Sequence, residues 1–176
     1  MKIGCLGWGS LIWKPGQLRL SGDWSDEGPR VPVEFSRVSD GGELATAICL
    51  GAEPVRVFWA ALATHSLEHA YDELAQREGV PVHRTDGIGL LVVHDDDGYD
   101  GLNRWALSQG LDALIWTALP PRFMNLENRI PNAREALMYL ESLNKITQEH
   151  ARQYIENVPA QIGTAYRRMF AERLGW

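Results

Sequence analysis

The first two thirds of the chain alternate short apolar runs with turn-forming residues, a pattern typical of β-strands. A Gly-, Pro-, Ser- and Asp-rich stretch at 14–30 predicts a long surface loop, and Asp40-Gly41-Gly42 is a hairpin signal. One helix is predicted at 66–78, ending at Gly79. The apolar runs predict strands at residues 2–6, continued past a glycine loop by 11–13, and at 31–38, 44–50, 55–62, 88–94 and 112–119.

The last third changes to a helical pattern. Helices are predicted at 132–142, 148–158 and 159–174, with Thr147 as the N-cap of the second and Pro159 in the first turn of the third. The second helix carries one apolar stripe, formed by Ala151, Tyr154, Ile155 and Val158. No flexible linker precedes this segment, so we expect one α+β domain, 1–176, with 131–176 as a helical C-terminal extension that packs on the sheet.

Composition and charge narrow the class of protein. The chain has 176 residues, 45% of them hydrophobic, and a formal net charge of −6. These values are ordinary for a globular domain, and they argue against a general nucleic-acid binder, which needs a basic surface. No apolar run reaches the roughly 20 residues of a membrane span, and Met1-Lys2 leads into no signal-peptide core. Cys5 and Cys49 lie in apolar runs and are expected to be buried and reduced, as in the cytoplasm.

The first strand breaks into a glycine-rich loop, Gly7-Trp8-Gly9-Ser10-Leu11. Glycines at the end of a strand let the backbone approach a ligand closely. Their amide groups then donate to an anion or to a polarised carbonyl group. A tight turn between two packed segments explains the same residues, and the spacing alone does not separate the two interpretations.

One acidic residue of the predicted helix lies on its apolar face. At about 100° per residue, Glu78 falls within roughly 20° of Leu67, on the side that Ala70, Tyr71 and Leu74 also mark. Burial and the negative end of the helix dipole both disfavour an anion there. A carboxyl group held close to neutrality suits general acid–base catalysis. Fraying of the last helical turn is the alternative explanation.

Together these two features resemble the gamma-glutamylcyclotransferase superfamily, including its ChaC branch. The family has a Tyr-Gly-Ser loop after its first strand, where this chain has Trp8-Gly9-Ser10-Leu11, and the continuation to Gly16 is similar to ChaC proteins. The catalytic glutamate of the family follows a helix, and the matching stretch ends in Arg77-Glu78-Gly79-Val80. The resemblance covers residues 2–120.

The resemblance implies both a fold and a reaction. The fold is a small, mostly antiparallel, barrel-like sheet with helices packed outside. The reaction converts a gamma-glutamyl amide into 5-oxoproline and a free amine or amino acid, with Glu78 as general acid and base. Residues 7–11 would hold the glutamyl group, and no metal or organic cofactor is implied.

Trp8 departs from the family pattern, because an indole replaces the phenol and accepts no hydrogen bond. Glutathione specificity is therefore not carried over from the ChaC branch. A non-catalytic domain that binds a small ligand or another protein is the alternative to an enzyme.

Other motifs are weaker. His65 and His69 match a zinc-helix spacing, but no third ligand is evident, and Asp95–Gly101 lacks the closing glutamate of a calcium loop. Ser10 has no nucleophile-elbow context. Tyr166-Arg167-Arg168 either binds a substrate carboxylate or forms a solvated basic face. A buried, hydrogen-bonded core position is the default expectation for four tyrosines whose hydroxyls could otherwise serve a pocket, Tyr99, Tyr139, Tyr154 and Tyr166.

Overall fold

In a computed structural model, the protein is described for residues 1–96 and 101–176. The strands are β1 Ile3–Gly7, β2 Arg30–Val38, β3 Leu44–Ile48, β4 Pro54–Arg56, β5 Phe58–Ala61, β6 Ile88–Val92, β7 Ala113–Thr117, β8 Arg122–Phe123 and β9 Leu126–Glu127. The helices are α1 Leu67–Glu78, α2 Gly101–Ser108, α3 Ala133–Ser142, α4 Lys145–Asn157 and α5 Ala165–Leu174. The predicted α+β class is confirmed, with strands in two mixed sheets rather than in one.

The chain divides into two compact units, each assembled from several segments. Unit 1 comprises Met1–Gly7, Lys14–Pro29 and Arg56–Leu119. Unit 2 comprises Trp8–Trp13, Arg30–Val55 and Pro120–Trp176.

The sheet of unit 1 has β1 at an interior position, in the order β5-β1-β7-β6. β1 runs antiparallel to β5 and parallel to β7, and β6 is antiparallel to β7. All five residues of β1 are buried, which explains why its sequence is an uninterrupted apolar run. Helix α1 packs on β7 and β6 through its apolar stripe, in which Ala70 and Leu74 are fully buried.

Local signals fix both ends of α1. The side chain of Ser66 accepts a hydrogen bond from the amide of His69 and so caps the first turn. Gly79 ends the helix with a φ of 65°, a left-handed conformation that glycine adopts without steric cost. The predicted boundaries of this helix are thereby confirmed to within one residue.

The sheet of unit 2 contains the predicted hairpin. β2 and β3 pair antiparallel around Asp40-Gly41-Gly42, and β2 also pairs with β8 and β4. Helices α4 and α5 contact β3 and β2, so the expected packing of the C-terminal helices on a sheet is confirmed. Within this core Phe35 of β2 meets Phe170 of α5 edge to face, with ring centroids 5.9 Å apart.

Several predicted boundaries are wrong. Residues 11–13 form a turn instead of extending β1, since the amide of Ile12 donates to the carbonyl of Gly9. The predicted strand 55–62 is interrupted at Val57, whose amide donates to the carbonyl of Pro29. Helix α2 and the short strands β8 and β9 were not predicted.

Two helix starts also differ from the prediction. Asn144, not Thr147, caps α4, and its side chain accepts from the Thr147 amide. Helix α5 begins after Thr164 rather than at Pro159, because the Thr164 hydroxyl accepts from the Arg167 amide. In both cases a capping side chain outcompetes a weaker start signal nearby.

Both cysteines are free and buried, as expected. Burial raises the pKa of each thiol, and for Cys5 the rise is large. None of the helices within residues 1–96 and 101–176 combines the length and the apolar character needed to cross a membrane.

A glycine contact in unit 1 gives a direct test of this fold. A Cβ atom added at Gly28 would overlap the backbone carbonyl of Val57, whereas one at Gly22 meets nothing within 4 Å. We expect Gly28→Ala to lower the free energy of unfolding by about 2–3 kcal/mol, and Gly22→Ala to change it by less than about 0.5 kcal/mol. Urea denaturation of the two variants measures this difference, and equal stabilities would contradict the described packing of this segment.

Candidate active site

Glu78 is the last residue of α1, in unit 1, and it is largely shielded from water. Its side chain is 14% exposed. The carboxylate lies at the end of β7, a strand on which α1 packs, and Gly79 then redirects the chain. An acidic group in this position is unusual, because most glutamates on helices point into solvent.

Two neighbours hold the Glu78 carboxylate. The hydroxyl of Thr117, at the end of β7, donates to Oε1 at 2.8 Å. Nη1 of Arg77 lies 3.4 Å from Oε2, while Nε and Nη2 of Arg77 donate to the carbonyl of Lys14 at 2.9 and 2.7 Å. The carboxylate therefore has a fixed orientation, and Arg77 in turn fixes the segment that begins at Lys14.

Cys5 lies close enough to Glu78 to be affected by its charge. Burial in β1 is the main cause that raises the pKa of the Cys5 thiol, and the negative charge of Glu78 adds to it. A thiol with a strongly raised pKa is protonated at neutral pH and is a poor nucleophile. Cys5 is accordingly a packing residue, in agreement with the sequence analysis.

Residues Trp8 to Leu11 belong to unit 2, and Gly7 is the last residue of β1 in unit 1. Trp8 and Leu11 are buried, and Ser10 is half-buried. The hydroxyl of Thr46 donates to the carbonyl of Trp8 at 3.0 Å, which anchors the loop to β3. The glycine-rich segment is therefore a tight turn held by hydrogen bonds.

Gly9 allows two hydroxyl groups to approach the backbone. A Cβ atom at this position would lie 2.6 Å from both the Thr46 hydroxyl and the Tyr154 hydroxyl. Those two oxygens are 3.1 Å apart, and the Thr46 amide also donates to Tyr154 at 3.2 Å. Close approach, rather than an unusual φ, is the reason for a glycine here.

Thr46 and Thr117 were not predicted as site residues, whereas Tyr154 was among the tyrosines named for a hydroxyl that could reach a pocket. Tyr154 had a local signal, since it lies on the apolar stripe of α4 and carries a polar group. Thr46 and Thr117 are ordinary strand threonines, and only their tertiary contacts distinguish them.

The weaker motifs have structural roles or no assembled site. His65 precedes α1, and its Nδ1 lies 3.0 Å from the carbonyl of Met1. Within the described ranges, no group of three or more His, Cys, Asp or Glu side chains is placed to hold a metal ion. Tyr99 and part of the Asp95–Gly101 motif lie outside the described residues. Tyr139 and Tyr166 donate to the carbonyls of Gly42 and Pro131.

Arg167 corrects one expectation about the last helix. Its guanidinium group is not on a solvated face, because it donates to four backbone carbonyls around the C-terminus of α4. These are the carbonyls of Ile155, Val158, Pro159 and Ile162. A cation here matches the negative end of α4 and satisfies carbonyls that the helix leaves open. Burial lowers the pKa of this guanidinium group from its ordinary value.

Glu34 is a second shielded acid, located in unit 2. It is 4% exposed, and its carboxylate accepts hydrogen bonds from the amides of Phe35 and Tyr166, at 2.9 and 3.3 Å. The Thr164 side chain is a further partner. Burial outweighs these bonds and raises the pKa of Glu34. Glu34 is a hydrogen-bond acceptor for the first turn of α5, and nothing in the sequence pattern of β2 pointed to it.

Comparison of the chain with family models, with curated proteins and with solved structures finds no match.

The contacts around Gly9 give a first prediction. We expect Gly9→Ala to lower the free energy of unfolding by about 2–3 kcal/mol, because the new methyl group displaces two hydrogen-bonded hydroxyls. In the Thr46→Ala/Tyr154→Phe background both oxygens are absent, so the same substitution should cost less. Urea denaturation of the four proteins measures this coupling. Additive costs would show that neither hydroxyl contacts Gly9.

The environment of Glu34 gives a second prediction. Since its folded-state pKa lies above the unfolded-state value, the folded protein binds this proton more tightly. The stability that Glu34 contributes is therefore present at low pH and is lost as the pH rises through its folded-state pKa. We expect the free energy of unfolding of wild type, relative to Glu34→Gln, to decrease between about pH 4.5 and neutrality. Denaturation at several pH values measures it, and a relative increase would contradict the direction of the shift.

Proposed function

We propose that this protein is a gamma-glutamylcyclotransferase-like enzyme that converts a gamma-glutamyl amide into 5-oxoproline and a free amine or amino acid. The observation that supports it most is the state of Glu78, a carboxylate 14% exposed and oriented by the Thr117 hydroxyl at 2.8 Å. A shielded, fixed carboxylate at a helix end is suited to proton transfer. It is also the residue that the family resemblance selects.

The proposed reaction is an intramolecular acyl transfer. The α-ammonium group of the glutamyl moiety loses a proton to Glu78, and the neutral amine attacks its own γ-carbonyl carbon. A five-membered ring forms as the C–N bond to the leaving amine breaks. Glu78 passes this proton to the leaving nitrogen and then transfers the second proton that the attacking nitrogen must lose. The amine therefore departs as an ammonium ion and 5-oxoproline keeps one N–H, so atoms and charge balance without an external reactant. Because nucleophile and electrophile belong to one molecule, the enzyme contributes mainly orientation and proton transfer.

In this proposal residues 7–11 bind the glutamyl moiety. The Thr46 hydroxyl anchors this turn through the carbonyl of Trp8, and the family resemblance assigns to the backbone amides of the loop the stabilisation of developing negative charge. Because Trp8 lacks the phenolic hydroxyl of the family tyrosine, the proposal covers gamma-glutamyl amides as a class and names no particular leaving amine. The barrel-like sheet of the family and a cytoplasmic location, consistent with two free thiols, belong to the same proposal.

Release of 5-oxoproline is the decisive assay. Purified protein is incubated with a panel of gamma-glutamyl amines, gamma-glutamyl dipeptides and glutathione, and 5-oxoproline is quantified by chromatography with mass detection. We expect turnover of at least one substrate, and we expect Glu78→Gln to reduce kcat/KM by about 10²–10⁴-fold, since the amide cannot exchange the proton. Glu68→Gln is the matched control, because Glu68 is an exposed acid in the first turn of the same helix.

The outcomes separate the alternatives. No 5-oxoproline from any substrate, with the protein folded, would favour the non-catalytic binding domain. If the Glu78→Gln variant still releases 5-oxoproline at the wild-type rate, the proposed reaction is retained but Glu78 is not its general acid and base. Equal losses in Glu78→Gln and Glu68→Gln would indicate a nonspecific effect of charge on helix α1.

Thr117 provides a graded test of the same site. Thr117→Val keeps the shape of the side chain but removes the hydroxyl that donates to Glu78. We expect kcat/KM to fall by about 10–150-fold, the worth of one hydrogen bond to a charged group. The pH profile of kcat/KM should also shift, which a purely structural role would not produce. An unchanged profile would mean that Thr117 does not position the Glu78 carboxylate.

A further inference from the structure

A pocket in unit 2 has no role in the proposed reaction. Its volume is about 510 Å³, within the range of small-molecule sites. It lies beside the first turn of α5, the end of β3 and the segment before β4. Side chains that line it include Arg30, Glu34, Cys49, Ile130, Tyr166 and Arg168.

Two arginines give the pocket its chemical character. Nη2 of Arg30 donates to the carbonyl of Pro54, and Nη1 of Arg168 donates to the carbonyl of Gly163, each at 2.7 Å. Both of these carbonyls belong to residues that line the pocket, so a hydrogen bond holds each guanidinium group against the lining of the pocket. A guanidinium group has five N–H donors. Across residues 1–96 and 101–176, the remaining donors of Arg30 and Arg168 have no hydrogen-bond or ion-pair partner.

Glu34 does not neutralise these arginines by direct pairing. Its carboxylate is occupied by the Phe35 and Tyr166 amides and by Thr164. The charge of Arg168 reaches Glu34, but the two groups form no ion pair. The other acid lining the pocket, Glu53, is exposed. In the described part of the chain, the guanidinium groups of Arg30 and Arg168 thus have N–H donors to spare, whereas the carboxylate of Glu34 beside them already has hydrogen-bond partners.

The rest of the lining is partly apolar. Cys49 is 5% exposed and carries a protonated thiol, so it presents an apolar surface rather than a reactive one. Ile130 is 44% exposed and offers apolar surface to the pocket. A ligand that fits this lining combines an anionic head with a small apolar body.

We propose that this pocket binds a small organic anion, whose carboxylate or phosphate oxygens accept hydrogen bonds from Arg30 and Arg168 and whose apolar part contacts Cys49 and Ile130. Guanidinium groups suit this role because their planar donors match the oxygens of either head group. The site is independent of Glu78 and of the proposed reaction, so either proposal stands if the other fails.

Titration followed by two-dimensional amide NMR tests the site. The probes are phenylacetate, phenyl phosphate and the neutral phenylacetamide, each added at constant ionic strength. We expect saturable shifts of amides that line the pocket with at least one of the two anions, and none with phenylacetamide. Comparison of phenylacetate with phenyl phosphate distinguishes a carboxylate site from a phosphate site.

Substitutions assign the binding to the two arginines. Arg30→Gln and Arg168→Gln should each weaken binding by about tenfold or more, the worth of a charge-assisted hydrogen bond. Arg168→Lys keeps the charge and should retain part of the affinity. Arg134→Gln is the matched control, since Arg134 is exposed on α3 in the same unit and does not line the pocket.

Three results would overturn the proposal. They are the absence of saturable binding to both anions, shifts confined to amides away from the pocket, and equal weakening by Arg134→Gln and the pocket variants. Thermal denaturation of every variant is measured beside the titration. If Arg168→Gln is unstable, Arg30→Gln together with Arg168→Lys still decides the outcome.

Discussion

Unit 1 depends on the central position of β1, which is hydrogen-bonded along both edges and buried along its whole length. Its backbone pairs with β5 on one side and with β7 on the other, and its five side chains are buried. Polar side chains are excluded there, because each would lose hydration without a partner. Even a methyl group at Gly4 would lie 2.8 Å from Leu111. The same pairing holds the first three residues of β7, and β6 pairs with the end of that strand, where Thr117 donates to Glu78.

Much of the fold could be predicted because its signals are local. Ser66 and Gly79 bracket α1 within the sequence, and Asp40-Gly41-Gly42 defines the hairpin between β2 and β3. Predictions failed where two local signals competed. Thr147 and Pro159 are both acceptable near a helix start, but Asn144 and Thr164 provide the capping bond. Helix α2 is only two turns long, and its pattern was too short to recognise.

The candidate site was predictable only in part. Glu78 was identified from the face of a single helix, which is a local property. Its partner Thr117 is 39 residues away, and Tyr154 approaches Thr46 from 108 residues away. Only the tertiary fold brings such pairs together. The same holds for Glu34 and Arg167, whose polar groups look exposed in the sequence but satisfy backbone groups at the ends of α5 and α4. A charged side chain with a structural role differs from one that can bind a ligand in whether the backbone already uses its hydrogen-bonding groups, and only the structure shows this.

The placement of the two thiols has a consequence for experiments on folding. The chain has two cysteines, one per unit: Cys5 in unit 1, with no exposed surface, and Cys49 in unit 2. A protonated, shielded sulfur reacts with an alkylating reagent only after the surrounding structure opens. The rate at which each sulfur is alkylated under native conditions therefore reports the local opening of its own unit. Without any engineered probe, mass spectrometry of the two peptides can reveal whether the units open as one cooperative body or separately.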